Sequence, residues 1–428
     1  MKRYILAGAM LAAGLLSQAQ NVKKLIDQKD VERIIATLSD DNMQGRAIFT
    51  PGIDKAATFI EGEFKSIGLQ PLTGESGFRQ NIPMKRTTVG KTVVNINMSS
   101  VSSANVYAVA GASFSWSNDA DVQVVKETAD KNYQQDVRAI AMSGKKTLVL
   151  VDPAFEAQFK AGRERAKSSG RAGAQPVVFV LGKIDDNIRS FEVNCTVKSE
   201  DVPLFNVAGM LPGKSKPDEF VVFSGHYDHL GIRPGMKPDS IFNGADDDAS
   251  GTTAVIELAK YYKKLNNNER TLIFVAFTGE ESGGYGARHF TTTVNADKVV
   301  AMFNIEMIGK PSKWGQNSAF ITGFERSDFG TILQKNLEGT DFKFYPDPYT
   351  KENLFYRSDN ATLARLGVPA HTISTDQIDI DPDYHKVTDE LKTLDVANIT
   401  DAIRAIALSS RSIVSGKDTP TRVAKLER

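Results

Sequence analysis

Cysteine is almost absent. Of 428 residues, Cys195 alone carries a thiol, so no intramolecular disulfide can form. No cysteine sits beside Ala19, where Gln20 comes next, which excludes a lipid-modified cysteine at that point. Charge of one sign is lacking as well. Lys plus Arg and Asp plus Glu both number 52, and a neutral balance creates no global field for nucleic acid or an anionic membrane. Beyond the N-terminus no run approaches the roughly 18 uninterrupted apolar residues of a spanning helix, so no stable membrane insertion is expected. A Gly-x-Ser-x-Gly elbow is missing, and with it the usual serine hydrolase nucleophile. So is His-Glu-x-x-His, the single-helix zinc protease signature. Gly209 to Ser215 approaches a phosphate-binding loop but is one residue short and contains Pro212. Histidine is scarce, with five in the chain. No internal repeat is visible.

What remains is an ordinary globular composition, 41% hydrophobic and 24% charged. At about 150 residues per domain the length suggests two to three domains. Lys2 and Arg3 precede the apolar run Tyr4 to Leu16, and Ser17-Gln18-Ala19 puts small residues at −3 and −1 of a cut after Ala19. That three-part pattern predicts a secretory signal peptide over 1–19 and an exported, periplasmic or secreted protein.

Residues 30–38 and 53–67 carry helical spacing; in the second, Ile53, Ala57, Ile60, Phe64 and Ile67 recur at threes and fours, and Gly68 is a stop signal. From about 90 the texture changes. Alternation over Thr92 to Met98, the run Thr147 to Val151, a polar helix over Phe155 to Lys167 and the run Pro176 to Leu181 predict a β-rich unit inserted over 90–202. It splits a main domain into 20–89 and 203–428. Cys195 falls in an alternating segment with Phe191, Val193 and Val197 and reads as a small core residue.

After 203 the rhythm is strand, loop, helix. Strands are expected at Phe220 to Ser224, Leu272 to Phe277, Val299 to Ile305 and Ala370 to Ser374, and helices around Val255 to Leu265 and Ile399 to Ile413. The alternation predicts an α/β fold with a doubly wound, mostly parallel sheet flanked by helices.

Five polar constellations follow these elements. Ser224-Gly225-His226-Tyr227-Asp228-His229 contains His-x-Asp, which suits a metal ligand whose other ring N–H is taken by Asp228. In Asn243-Gly244-Ala245-Asp246-Asp247-Asp248-Ala249-Ser250-Gly251 three adjacent acids repel unless solvated or neutralised by a cation. Thr278-Gly279-Glu280-Glu281-Ser282-Gly283 points two carboxylates in different directions, one for a metal and one for a water. Glu306, in Asn304-Ile305-Glu306-Met307-Ile308-Gly309, ends an apolar strand. Asp383-Tyr384-His385-Lys386 carries Asp389 four residues past the histidine. Nitrogen and carboxylate ligands suit zinc, and the surplus of carboxylates suggests two ions sharing a bridging acid. Spacing alone leaves open which ligands share an ion.

These motifs, in this order, resemble the bacterial di-zinc aminopeptidases and their relatives, which include glutamate carboxypeptidase II and the transferrin receptor. The likeness spans about 203–415 plus Gly45-Arg46 and the helix 53–67. The resemblance implies two zinc ions, with His226, Asp247 and Glu306 at one and Asp247, Glu281 and His385 at the other. It implies Glu280 as general base, with Asp228 supporting His226. Glu306 stands where the family usually has Asp, and Asn360 follows Ser358-Asp359 where many members have His. Tyr384 is a candidate hydrogen-bond donor to the substrate, and the cluster Asp379, Asp381 and Asp383 is a candidate for recognising a free amine. The inserted unit looks like a protease-associated domain, in the Thr147 to Val151 strand and the Gly173-Ala174 and Val177 to Val180 pieces. An exopeptidase acting on peptides, most simply an aminopeptidase, is thus implied. A one-zinc glutaminyl cyclase-like activity, a carboxypeptidase and a non-catalytic binding protein are the alternatives.

Overall fold

The computed structural model describes residues 22–118, 121–169, 175–183 and 187–426. The expected signal segment and Gly173-Ala174 lie outside them. Packing divides the chain into two units, one of Met1–Ile82 with Leu204–Arg428 and one of Pro83–Pro203.

The first unit is built on an eight-stranded sheet in the order Arg79–Asn81, Phe205–Leu211, Arg270–Phe277, Lys216–His226, Val299–Ile305, Ala370–Ser374, Ser318–Ile321, Lys343–Pro346. The central four strands, from Arg270–Phe277 to Ala370–Ser374, are mutually parallel. Strands buried on both faces read as continuous apolar runs, and every residue of Arg270–Phe277 is buried. Alternate residues serve opposite cores. Val221, Phe223, Leu272, Phe274, Ala301 and Phe303 pack on one side and Val222, Ile273, Val275 and Met302 on the other. Phe223 stacks between its register partners Phe274 and Phe303, with ring centroids 5.5 and 4.9 Å away. The parallel strands place all their carboxyl ends on one edge, where open α/β sheets bind ligands.

Helices cover both faces. Pro51–Ile67 starts on Pro51, which lacks the N–H a first turn leaves unused, and stops at Gly68 in the left-handed region. It buries Ile53, Ala56, Ala57, Ile60 and Phe64. The closing segment differs from expectation. Val396–Ser409 and Arg411–Val414 are two helices broken at Ser410, whose hydroxyl bonds the Ile406 carbonyl at 2.6 Å and the Tyr262 hydroxyl at 2.6 Å. The strands Phe205–Leu211, Ser318–Ile321 and Lys343–Pro346, and the antiparallel pairings at both sides of the sheet, were not foreseen either. No helix among the described residues is long and apolar enough to cross a membrane.

The second unit holds two four-stranded sheets, one around the long pair Lys85–Ile96 and Phe191–Asp201 and one around Thr147–Val151, with helices Tyr133–Met142 and Glu156–Ser169. It begins at Pro83, not at 90, because Lys85 to Val89 already pair with Val197 to Asp201. That stretch is too polar to reveal a strand by its pattern. Cys195 is buried with Trp116 and Val193.

Candidate metal centre

Three of the four parallel strands end in residues that the sequence singles out. His226 is the last residue of Lys216–His226, and Glu280 lies three residues past Phe277. Glu306 follows Ile305; past the fourth strand, Asp376, which the sequence reading did not single out, lies two residues after Ser374. Asp247 enters from the turn Ala245–Ser250 and His385 from the loop beyond Asp376.

Asp247 stands between two histidines. Its Oδ1 is 3.1 Å from His226 Nε2 and its Oδ2 is 3.2 Å from His385 Nε2. Glu281 Oε1 is 3.2 Å from the same His385 nitrogen and 3.0 Å from His229 Nδ1. His229 Nδ1 is also 3.9 Å from Asp247 Oδ2. These approaches do not satisfy the atoms. His226 Nε2, both ring nitrogens of His229 and Glu281 Oε1 are buried without a hydrogen-bond partner. Buried polar atoms in native folds are normally paired, so convergent orphaned nitrogens and carboxylate oxygens fit a cation of borderline hardness. His229, Asp247 and Glu281 each offer an atom within 4.8 Å of the others'.

His229 has no role in the sequence reading beyond its place in the first constellation. It is 2% exposed. The signal was present, since a second histidine three residues from His226 follows a buried strand, but no periodicity marks it. Gly244 makes room for it: at φ +58° any Cβ there would lie 2.6 Å from the His229 ring. Asp359, also buried with both carboxylate oxygens unpaired, is a second unforeseen neighbour. Burial pushes its carboxyl up to about 8, opposed by His226 and reinforced by Glu306.

Asp228 differs from expectation in detail. His226 Nδ1 lies 3.1 Å from the Asp228 backbone carbonyl, while the Asp228 carboxylate is 3.7 Å from that nitrogen. The carboxylate instead accepts the Glu280 backbone N–H at 3.1 Å. It therefore positions the Glu280 main chain, because the turn after Phe277 brings that N–H closer than the ring. Burial raises the Asp228 carboxyl to about 6.

The acids beside Asp247 diverge. Asp248 accepts N–H bonds from His226 at 3.0 Å, Gly251 at 3.0 Å and Met307 at 3.2 Å. It thus braces two strand ends against the turn. Asp246 points away and accepts from Gly309 at 2.7 Å. Asp389 holds the turn from outside, accepting the backbone N–H groups of Asp246 at 2.8 Å and Asp247 at 3.1 Å. Arg46 holds it from beneath. Its buried guanidinium donates to the carbonyls of Leu38 at 2.7 Å, Tyr227 at 2.8 Å and Gly244 at 2.8 Å, and to that of Asn243.

A cleft of about 590 Å³ opens on this centre. Asp247, Glu280, Glu306, Tyr384 and His385 line its polar end and Met307, Phe320, Leu354 and Ile378 its apolar walls. Burial pushes the Glu280 carboxyl well above its ordinary range. Glu306, Asp359 and Glu281 add like charge and His226 opposes. Tyr384 stacks on His385 at 4.0 Å. Asp379, Asp381 and Asp383 do not line this cleft. Asp379 is exposed, and Lys310 pairs with Asp381 and, at 3.0 Å, with Asp383.

Residues 206–409 match the model of Peptidase family M28. This segment belongs to that family. Among curated proteins, a probable zinc metalloprotease of Leptosphaeria maculans is 36% identical over 145 residues, covering 32% of this chain and 33% of its own. Another, of Pyrenophora teres f. teres, is 28% identical over 205 residues, covering 45% and 41%. The chain thus spans less than half the length of these relatives. The whole fold is shared more widely. The aminopeptidase of Aneurinibacillus sp. strain AM-1 superposes with a TM-score of 0.55 at 16% identity, covering 96% of this chain and 97% of its own. A zinc aminopeptidase of Bacillus subtilis gives 0.56 at 16% identity, with 94% and 99% covered. A Peptidase M28 precursor of Shewanella amazonensis gives 0.52 at 17%, with 96% and 98% covered. At these identities the likeness is one of fold.

Proposed function

We propose that this protein is an exported, zinc-dependent exopeptidase that releases N-terminal residues from peptides. The observation that carries the reading is the convergence of His226, His229, His385, Asp247 and Glu281 at the carboxyl edge of the sheet, with His226 Nε2, both His229 ring nitrogens and Glu281 Oε1 unpaired. The M28 match adds the peptidase class, and the zinc named for the curated relatives is carried to this chain as part of the proposal.

Two zinc ions fit the donor set. His226, Asp247 and Glu306 would hold one and Asp247, Glu281 and His385 the other, with His229 adding a nitrogen to the second group. Zinc, when bound, polarises a scissile carbonyl and lowers the pKa of water towards about 7. The chain supplies the rest. Glu280 Oε takes the proton of the attacking water and passes it to the leaving amine. The Tyr384 hydroxyl, at the cleft beside His385, is the candidate donor to the developing oxyanion. The apolar walls favour a hydrophobic terminal side chain. The Pro83–Pro203 unit is proposed to be a protease-associated-like domain and residues 1–19 the export signal.

The test uses the purified zinc-loaded protein on one peptide pool, free or N-acetylated, with Glu280→Gln as control. Release from free N-termini only, lost in the variant, is expected. Release from both pools identifies a carboxypeptidase or endopeptidase. Absence of release from a metal-loaded protein overturns the peptidase reading.

A further inference from the structure

A second group of acids lies beside the first. Asp246, Asp376 and Asp381 each offer a carboxylate oxygen within 4.8 Å of the others'. They come from three places: the turn that carries Asp247, the chain just past Ala370–Ser374, and the loop that carries His385. Asp246 is 0% and Asp376 3% exposed, and the Asp381 side chain 2%.

Their hydrogen bonds do not use up their oxygens. Asp246 Oδ1 accepts from Gly309 N–H at 2.7 Å and Ser250 Oγ at 3.2 Å, but Oδ2 has no partner. Asp381 Oδ1 takes Lys310 and its Oδ2 has none. Neither oxygen of Asp376 has a donor. Each of the three buried carboxylates therefore keeps at least one unpaired oxygen, and one oxygen from each lies within 4.8 Å of the others'. Lys310 is the ammonium that contacts the group, and it is shared with Asp383. One positive charge among these four carboxylates leaves the cluster strongly anionic inside the protein, where unpaired charge costs several kcal/mol per ion.

We propose that Asp246, Asp376 and Asp381 bind a hard dication, calcium by preference, at a site separate from the zinc centre. All the unpaired donors are oxygens, which suits calcium better than zinc. Three oxygens within 4.8 Å of one another lie no more than about 2.8 Å from a common centre, close to the ~2.3–2.6 Å of Ca–O bonds, so a small side-chain adjustment lets one ion reach all three carboxylates. The bound ion ties the loop of His385 to the turn of Asp247, which makes it a positioning element for the catalytic centre. Protons are the competing way to neutralise the group. Burial and then the neighbouring Asp381 raise the Asp376 carboxyl to about 8, and burial with Asp389 and Asp376 raises Asp246.

The experiment is calorimetric titration of calcium into the full-length, zinc-saturated protein, with bound metals counted by elemental mass spectrometry. Saturating zinc keeps calcium out of the first centre. One calcium per chain is expected in the wild type, with a calcium-dependent rise in melting temperature. Asp376→Asn and Asp381→Asn should each bind calcium at least tenfold more weakly with zinc content unchanged. Circular dichroism establishes that each variant is folded, and the wild-type titration decides alone if either is not. No uptake by the wild type at millimolar calcium overturns the proposal. So does undiminished uptake by both folded variants, or a melting temperature that responds to pH and not to calcium.

Discussion

The two units solve opposite problems with similar strands. The core of the Pro83–Pro203 unit is nearly free of charge: Val94, Trp116, Leu148, Val178, Val193 and Cys195 close on one another, and Glu127 is its buried acid among the described residues. The sheet of the other unit is as apolar in its middle, yet at its carboxyl edge it buries His226, Asp228, His229, Asp246, Asp247, Asp248, Asp359 and Asp376. Burying so many ionisable groups opposes folding unless each finds an opposite charge, a proton or an ion. The contrast teaches that this edge needs neutralising partners for its buried charges, while the inserted unit is held by packing. Substitutions in the two regions should therefore fail differently.

The sharpest way to separate them begins at the cleft. Glu280→Gln should lower turnover by about 10²–10⁴-fold, with zinc content and melting temperature close to wild type. A variant with unchanged turnover removes Glu280 from the mechanism. Arg46→Ala comes next, because it strips four carbonyls of their donor inside the protein. A loss of about 3–5 kcal/mol is expected, read by urea unfolding, together with weaker zinc retention. Arg46→Lys should recover little of it, since one ammonium cannot reproduce the planar fork.

A smaller effect comes from a buried histidine outside the metal centre. His371 lies between the Thr322 carbonyl and the Ser327 hydroxyl, each 2.8 Å away, and burial depresses it to about 4. Its folded pKa lies below the unfolded value of about 6.5. The unfolded chain therefore binds the extra proton, and stability falls as pH drops from 6.5 towards 4. That loss is about 3 kcal/mol. His371→Asn should show a shallower acid slope over that window than wild type; identical slopes would remove the histidine as the cause. The smallest effect is expected in the inserted unit. Cys195→Ala should cost about 1 kcal/mol through lost packing and leave kcat/KM unchanged. A large loss of activity there would break the contrast between the units.

Legibility in the sequence followed burial. Leu272 to Phe277 stands out because both faces of that strand are covered and no polar residue interrupts the run, while Val299 to Ile305 is broken only by Asn304; Ala370 to Ser374 is buried throughout although it carries His371, Thr372 and Ser374. Ser318–Ile321 and Lys343–Pro346 are four residues each, too short to show a period. Phe205–Leu211 is interrupted by Asn206, buried to bond Gln80 and Gly286 at 2.9 and 3.1 Å, contacts between distant parts of the chain that no local pattern reveals. In the centre, Asp247, Glu281 and His385 were legible as motif members. His229 and Asp389 were visible as residues but not as roles, because one depends on facing Glu281 across the edge and the other on reaching back 143 positions to Asp246.

Arg46 has a consequence for how the chain comes off the ribosome. It is made 181 residues before Tyr227 and 198 before Gly244, the carbonyls it must meet. Between them the Pro83–Pro203 unit is synthesised whole. The first helices must wait, with their apolar faces uncovered, until the strands of the second segment emerge. The boundary drawn by family likeness, 206–409, therefore falls inside the folding unit, and a fragment cut there leaves behind the guanidinium on which the Asp247 turn rests.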